Sequence, residues 1–278
     1  MDEEFDSALL RDSIMMLHIM DLYQTGFEPV FLQSSKLFFE ELDSKSWISL
    51  ELKTYVLGCV KFLDKESARC DAYNLDSGTK RALLIAAQAI FLKQRSVRLL
   101  DRVGIAKLLE ADEVETLKAL YGLLKTSEMD RSLKDPWEDY IKTVGSTIVR
   151  DLQKGDDMVV RLLELKRSLE VVIRDAFDKD ETFKYAMREA YSGFINDRKN
   201  LTAWGTGNAK VGEVIAKYID LLLRGGLKAV PRSLASDSID RDEAEKRGEA
   251  STGDEEAELD RQLEQGIELF RFIEGKDV

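Results

Sequence analysis

The sequence has little that would interrupt a helix and few residues that perform chemistry. Its 278 residues include three prolines, one histidine and two cysteines. Scarce proline leaves room for long helices, because proline lacks a backbone donor and breaks a helix interior. Cys59 and Cys70 lie eleven residues apart with no metal-ligand spacing around them, so we expect free structural thiols in a reducing compartment.

The chain also lacks a basic excess and any long apolar run. Its 53 acidic residues exceed its 41 basic ones, which gives a formal net charge of -12. Direct binding to nucleic acid is not expected, because such binding depends on clustered Lys and Arg. No apolar run reaches about 18 residues and the first residues carry no basic stretch, so we expect neither membrane insertion nor secretion. The expected location is the cytoplasm, the nucleus or both.

Apolar residues at helical spacing dominate the rest of the sequence. The most regular stripe lies in the predicted helix from Asp156 to Phe177, where steps of three and four residues separate its members. These members are Met158, Leu162, Leu165, Leu169, Val172 and Ala176. Helices before and after it complete the stretch from Asp135 to Arg198, and all three must pack on other segments.

Similar stripes predict helices along most of the chain, and no segment shows the alternation typical of a strand. The fold class is therefore all-α, with stacked antiparallel helices. Gly26 is the expected stop of the first helix, and aspartates are the expected caps. Between Ser233 and Asp260 the acidic residues predominate and large apolar side chains are scarce, which predicts a solvated, disordered insertion. The other predicted helices span 6–24, 29–42, 47–63, 79–93, 97–109, 112–124, 211–223 and 256–273.

Several residue groups could be read as sites, and each has a simpler structural explanation. His18 is interpreted as packed or solvated, since no second histidine or cysteine completes a catalytic set. The pair Asp156–Asp157 and the cluster Glu110–Glu115 could ligate a metal, but helix capping and solvation explain them. The glycines near Gly205 follow no strand, so a connector is favoured over a phosphate-binding loop. Asn200 opens a glycosylation sequon that we attribute to chance. The sequence thus predicts no catalytic, cofactor-binding or metal-binding residue.

Short motifs in the second half of the chain resemble those of the cullin family. The last ten residues match the cullin run LFRFI-x-GKDV, and the helix after Asp135 matches W-x-x-YIK-x-x-G-x-x-I of the third cullin repeat. The matching positions are Trp137, Tyr140, Ile141, Lys142, Gly145, Ile148, Phe183, Phe194, Ile195, Asn196, Ile215, Ala216, Lys217, Asp220, Leu223, Arg224 and Leu269 to Val278. The subgroup it most resembles is the fourth-type cullins.

This resemblance implies a scaffold for a cullin-RING ubiquitin ligase in ubiquitin-dependent protein catabolism. Cullins stack helical repeats into an elongated stalk that holds a substrate adaptor at one end and a RING subunit at the other. The implied domains are second-repeat helices with the start of the third over 1–124, third-repeat helices over 125–230, the acidic insertion over 231–257, and a helix over 258–278 that leads to the C-terminal cullin domain. The binding ends and the neddylated lysine are absent, so we expect a truncated, non-catalytic stalk without a cofactor.

Two other function classes remain open from the sequence. A different helical scaffold, such as a membrane-tethering rod, would also stack helices and carry acidic loops. An enzyme could use the acidic pairs as metal ligands, although the capping explanation is favoured.

Overall fold

The computed structural model describes residues 7–47, 49–151, 154–155, 157–202, 209–225 and 252–273. Every regular element within these ranges is helical, which confirms the predicted all-α class. The chain divides into two compact units, Met1–Pro136 and Trp137–Val278.

The first unit contains seven α-helices, counted over its described residues, and short π-helical and 3₁₀ turns. The π-helical turns are Tyr23–Phe27, Asp43–Trp47 and Ala89–Lys93, and a 3₁₀ turn spans Asp130–Leu133. The α-helices are α1 (Ser7–Ile19), α2 (Glu28–Leu42), α3 (Leu52–Ala72), α4 (Ser77–Gln88), α5 (Ser96–Leu99), α6 (Arg102–Glu110) and α7 (Val114–Thr126).

The second unit is built from helices that carry the motifs found in the sequence. The first of them begins three residues before the unit does. They are α8 (Lys134–Arg150), α9 (Met158–Asp175), α10 (Glu181–Ile195), α11 (Arg198–Thr202), α12 (Ala209–Gly225) and α13 (Thr252–Arg271).

Most predicted helices are found close to their expected bounds, and three differ in a structural way. A further one, predicted over 47–63, is displaced along the chain, because α3 begins five residues later and ends nine residues later. The helix predicted over 97–109 is two helices, α5 and α6, and the one over 79–93 finishes as a π-helical turn. Helix α13 begins at Thr252, four residues earlier than predicted, although its first turns are strongly acidic. Residues 231–251 of the predicted disordered insertion and 274–278 of the final motif lie outside the described residues. The prediction of disorder over 252–257 is wrong, because these residues belong to α13.

Within the described residues, several helices are followed by a non-glycine residue in the left-handed conformation, where glycine is common. Left-handed backbone with φ between 51° and 58° occurs at Asp21, Asn74, Asp112, Glu128, Asp178 and Lys179. At Asp112 and Glu128 the following residue donates to a carbonyl five positions back, which is the Schellman bond that normally accompanies glycine. The predicted stop at Gly26 is wrong, because α1 ends before Asp21 and Gly26 lies inside a π-helical turn.

The predicted aspartate caps are only partly present. Asp135 lies inside α8 instead of before it, because the preceding 3₁₀ turn runs directly into the helix. Asp76 and Asp157 occupy cap positions of α4 and α9, but neither side chain accepts a capping hydrogen bond. In contrast, Asp101 and Asp180 accept from backbone amides of α6 and α10. Asp156 lies outside the described residues.

Each unit has its own aromatic core. In the first unit, Phe39, Phe62 and Phe91 meet edge-on or tilted with centroids 5.1–5.9 Å apart. Trp47 covers Phe91 at 4.8 Å. In the second unit, Phe177 and Phe183 pack at 4.4 Å. Such pairs add to the free energy that apolar burial supplies.

Candidate functional site

The apolar motif residues of α8 lie in the core of the second unit. Trp137 is 1% exposed, and its indole N–H donates to the carbonyl of Phe183 at 3.3 Å. Its ring meets the edge of Phe177 at a centroid distance of 5.2 Å. Ile141, one helical turn later, is fully buried. Trp137 therefore fixes the start of α8 against Phe177, which follows α9, and against Phe183 in the first turn of α10.

Gly145 allows α8 and α10 to approach closely. A Cβ atom at this position would lie 2.5–2.6 Å from Cζ and Cδ1 of Phe194, which is closer than carbon atoms pack. The glycine of one motif and the phenylalanine of another are thus two halves of a single contact. Spacing within either motif alone could not show this.

The buried side-chain amide of Asn200 links α8 to α10 by hydrogen bonds. Asn200 has no exposed surface, its Oδ1 accepts from Nε of Arg150 at 2.6 Å, and its Nδ2 donates to the carbonyl of Phe194 at 2.6 Å and to Oγ of Ser146 at 3.1 Å. An amide engaged in this way is inaccessible to a glycosyl donor. The sequon at Asn200 has a packing role in this fold.

The described part of the final motif is anchored on α10. Leu269 is fully buried, and the ring of Phe272 lies 5.5 Å from that of Tyr191. Nδ2 of Asn196 donates to the carbonyl of Phe272 at 2.8 Å. The cullin-like positions Phe194 to Asn196 therefore meet the LFRFI run, and the side-chain amide of Asn196 fixes the backbone where α13 ends.

Lys166 links α9 to α13 through a buried charge. It is 5% exposed, and its Nζ lies 2.5 Å from Oε1 of Glu170 and 3.0 Å from Oε2 of Glu268. Burial favours the neutral amine and would lower the pKa of Lys166, but the hydrogen bonds to Glu170 and Glu268 outweigh burial and raise the pKa. Sequence analysis did not single out Lys166. Its position four residues after Leu162 places a charged side chain on the apolar stripe of the helix, which indicates a buried charge with a partner.

A groove with a cavity volume of about 720 Å³ lies in the first unit. The loop before α3, the turn before α5, and helix α6 form its walls, and Val97 and Val103 stand exposed on it. Arg98 holds the loop by donating to the carbonyls of Trp47 and Leu50, and it stacks 4.4 Å above the ring of Tyr55.

Five of the charged residues that line this groove are engaged in structural contacts, Arg98 among them. Lys53 pairs with Glu113, Asp101 caps α6 at 2.7 Å, and Arg95 donates to the buried Asp43. None of the described residues lining the groove is a histidine, cysteine or serine. The groove was not predicted from sequence, because its walls come from three separate segments.

The candidate chemical residues are dispersed across the structure. His18 stacks on Tyr23 with centroids 4.0 Å apart, and its Nε2 lies 3.6 Å from Oδ1 of Asp76. Cys59 and Cys70 are free and buried, as predicted, and burial raises the pKa of the Cys59 thiol to about 12, which keeps it protonated and unreactive.

The acidic candidates form no metal centre within the described residues, where no three His, Cys, Asp or Glu side chains are placed to hold an ion. In the Glu110–Glu115 cluster, Glu113 is occupied by Lys53 and Thr116, and Asp112 ends a helix. Gly212, the described member of the glycine group, lies inside α12 and packs near Ile273. Within the described ranges, no helix combines the length and apolarity that crossing a membrane requires.

The described residues fold entirely into helices, and in the second unit the sequence motifs contact one another. The family model described as the cullin alpha solenoid domain matches residues 1–278. The chain therefore belongs to the cullin family.

Proteins of the fourth cullin type are among its relatives. "Cullin-4" of Schizosaccharomyces pombe is 29% identical over 273 residues, which cover 98% of this chain and 33% of that protein. "Cullin-4A" of Homo sapiens is 31% identical over 277 residues, covering 99% of this chain and 32% of that protein. "Cullin-3B" of Arabidopsis thaliana is 26% identical over 287 residues, covering 99% and 34%. The chain spans about a third of the length of the curated relatives it matches.

Proposed function

We propose that this chain is a non-catalytic scaffold segment of a cullin-RING ubiquitin ligase and serves ubiquitin-dependent protein catabolism. The observation that carries the proposal is the match of the cullin α-solenoid model to every residue of the chain. The contacts between motifs support it, because Gly145 with Phe194 and Asn196 with Phe272 make separate cullin-like motifs pack as one layer.

The proposed mechanism is positioning. A scaffold that holds a substrate and a ubiquitin-carrying enzyme at a fixed separation converts their encounter into an effectively intramolecular one. Such a scaffold needs helices that keep their relative positions, and buried directional contacts supply this rigidity. Within the second unit, Lys166 and Asn196 tie the last helix to α9 and α10.

The proposed partners are the adaptor and the RING subunit of a ligase complex, bound by parts of the relatives that lie outside the matched third. The proposed arrangement keeps second-repeat helices in 1–124, third-repeat helices in 125–230, a solvated acidic segment in 231–257 and the lead into a C-terminal domain in 258–278. No membrane or nucleic acid partner is proposed, and the proposed location is cytoplasmic, nuclear or both.

The test is a chimera in which this chain replaces the matched segment of human Cullin-4A. The flanking parts come from the relative, so the chimera is expected to retain its adaptor and RING subunit on co-purification. It is also expected to transfer ubiquitin to an adaptor-bound substrate, because the replaced segment preserves the spacing.

The control is the same chimera with Gly145→Val, which forces a side chain into the Phe194 ring. This control should lose substrate ubiquitination, since the layer that holds α8 against α10 cannot close. A chimera that holds both partners and transfers no ubiquitin would contradict the proposed spacer role.

The two other function classes are less well supported. Membership in the cullin family replaces the hypothesis of an unrelated tethering scaffold. A metal-dependent enzyme is not supported by the acidic residues, because Glu113 is paired with Lys53.

A further inference from the structure

Helices α12 and α13 contact each other more extensively than either contacts any other helix of the described residues. Two glycines allow this close approach. A Cβ atom at Gly266 would lie 3.2 Å from Cγ1 of Ile219, and one at Gly212 would lie 3.4 Å from Cδ1 of Ile273. The contacting positions rise along α12 as they fall along α13, so the two helices form an antiparallel pair.

Two polar side chains connect this α12–α13 pair to the helices it packs against. Nζ of Lys166 on α9 lies 3.0 Å from Oε2 of Glu268 on α13. Nδ2 of Asn196, directly after α10, donates to the carbonyl of Phe272 at 2.8 Å. A buried ammonium or amide that loses its only partner is strongly destabilising, so contacts of this kind normally fix a helix in place.

Both of these side chains have a second partner that does not belong to the pair. Lys166 also contacts Oε1 of Glu170, one turn later on α9, at 2.5 Å. Nδ2 of Asn196 also donates to the carbonyl of Ser192 on α10, at 2.8 Å. Neither the ammonium nor the amide would therefore lose all of its partners if α13 moved away.

The remaining helices of the second unit are held together by contacts of their own. Gly145 and Phe194 pack α8 against α10, and Asn200 joins α11 to both. The hydroxyl of Tyr191 on α10 donates to the carbonyl of Leu162 on α9 at 3.0 Å. All of these contacts persist without α12 and α13.

We propose that the α12–α13 pair is a detachable element, which leaves α9 and α10 as one body when the contact between Lys166 and Glu268 opens. Docked and released states are then two populations of the same chain. The docked state predominates, because it buries Ile215 and Leu269 completely. Release changes the position of the pair, while α8 to α11 keep theirs.

Acylation of lysines with sulfo-N-hydroxysuccinimide acetate, followed by mass spectrometry, tests the release. Lys166 is 5% exposed and should react only in the released state, and the exposed Lys217 serves as the reference for the reagent. Glu268→Gln removes a charge-assisted contact from the docked state alone, so it should accelerate acylation of Lys166 about tenfold. The matched control is Glu264→Gln, which makes the same change at an exposed position one turn earlier and should leave the rate unchanged.

A disulfide across the pair tests whether its two helices move together. The close approach of Ile219 and Gly266 suits such a bridge, so the variant carries Ile219→Cys and Gly266→Cys. Its oxidised and reduced forms should acylate at Lys166 at the same rate, because the bridge joins helices that leave as one body. Slower acylation of the oxidised form would overturn the proposal, since α13 would then be separating from α12.

The urea dependence of the same reaction separates release from unfolding. Release exposes little surface, so acylation of Lys166 should rise with urea much less steeply than global unfolding does. An equally steep rise would overturn the proposal, because Lys166 would then react only in the unfolded chain. Equal rates for Glu268→Gln and Glu264→Gln, or no acylation of Lys166 without denaturant, would overturn it as well.

Discussion

Gly145 is the residue whose replacement should have the clearest cost. In Gly145→Ala the new methyl group would overlap the Phe194 ring, so α8 and α10 must separate or the ring must leave its place. The expected loss in free energy of unfolding is about 1–3 kcal/mol, the usual range for overpacking. Urea denaturation followed by circular dichroism measures it.

Gly193→Ala is the control in the same unit. A Cβ at Gly193 would lie 3.8 Å from Cε of Lys142, which is an ordinary contact. The free energy of unfolding of this variant should therefore rise by about 0.5–1 kcal/mol, because alanine has less backbone entropy than glycine in the unfolded chain. Adding Phe194→Leu to Gly145→Ala should recover part of the loss, because the smaller side chain makes room. Equal stabilities of the two single variants would refute the close-contact explanation.

Two buried tyrosines of the second unit should respond oppositely to loss of the hydroxyl. The Tyr218 hydroxyl finds no hydrogen-bond partner within the described residues, whereas that of Tyr191 donates to the carbonyl of Leu162 at 3.0 Å. Tyr218→Phe should therefore be neutral or stabilise by up to about 1 kcal/mol, and Tyr191→Phe should cost about 0.5–1.5 kcal/mol. Urea unfolding at pH 7 distinguishes the two.

The same hydroxyl predicts a dependence on alkaline pH. Burial raises the pKa of Tyr218 to about 12 from an ordinary value near 10, because the phenolate is poorly solvated in the fold. A raised folded-state pKa contributes stability that is complete below pH 10 and lost as the pH rises through about 12. Tyr218→Phe should lose less stability than the unmodified chain between these pH values. Parallel stability curves for the two proteins would contradict this assignment.

At the scale of helices, capping separates two aspartates that look alike in sequence. Asp180 accepts from the amide of Thr182 at 2.8 Å, and Asp157 at the equivalent position of α9 accepts no such bond. Asp180→Ala should cost about 1 kcal/mol. Asp157→Ala should cost only the roughly 0.3 kcal/mol of a helix-dipole contact. Thermal unfolding of both variants is the measurement, and equal losses would show that the hydrogen bond is not the cause.

Helix ends give a second test at this scale. Glu128 follows α7 with φ of 58°, where a Cβ is strained and glycine is not. Glu128→Gly should stabilise the chain by up to about 1 kcal/mol, after allowing for the extra entropy of glycine in the unfolded chain. Glu128→Ala keeps the Cβ and should give no gain. A gain with alanine would point to charge instead of backbone strain.

Sequence reasoning found most helices, but it missed several of their ends. Stripes such as the one on α9 depend on local spacing, which the sequence displays directly. Stops such as Asp21 depend on a left-handed conformation that aspartate adopts only when the surrounding packing holds it. Contacts such as Gly145 with Phe194 and Lys166 with Glu268 join distant positions, so only the folded chain shows them.

For the whole molecule, charge sets the behaviour towards polyanions. With a net charge of -12, the chain should not retard duplex DNA or RNA on native gels at about 0.1 M salt, because it has too few clustered cations to release counterions. Retardation that falls steeply as salt increases would contradict this prediction. The elongated stalk that the cullin resemblance implies also concerns the whole molecule, and it remains a prediction.

If the proposed scaffold function holds, the burial of Lys166 has one more consequence. An amine attacks a thioester only when it is accessible and has lost its proton. Lys166 is 5% exposed and is held as an ammonium by two glutamates. In the folded chain this lysine is therefore protected from ubiquitination. A ubiquitin remnant detected on Lys166 by mass spectrometry would show that α13 had separated from α9 before the modification.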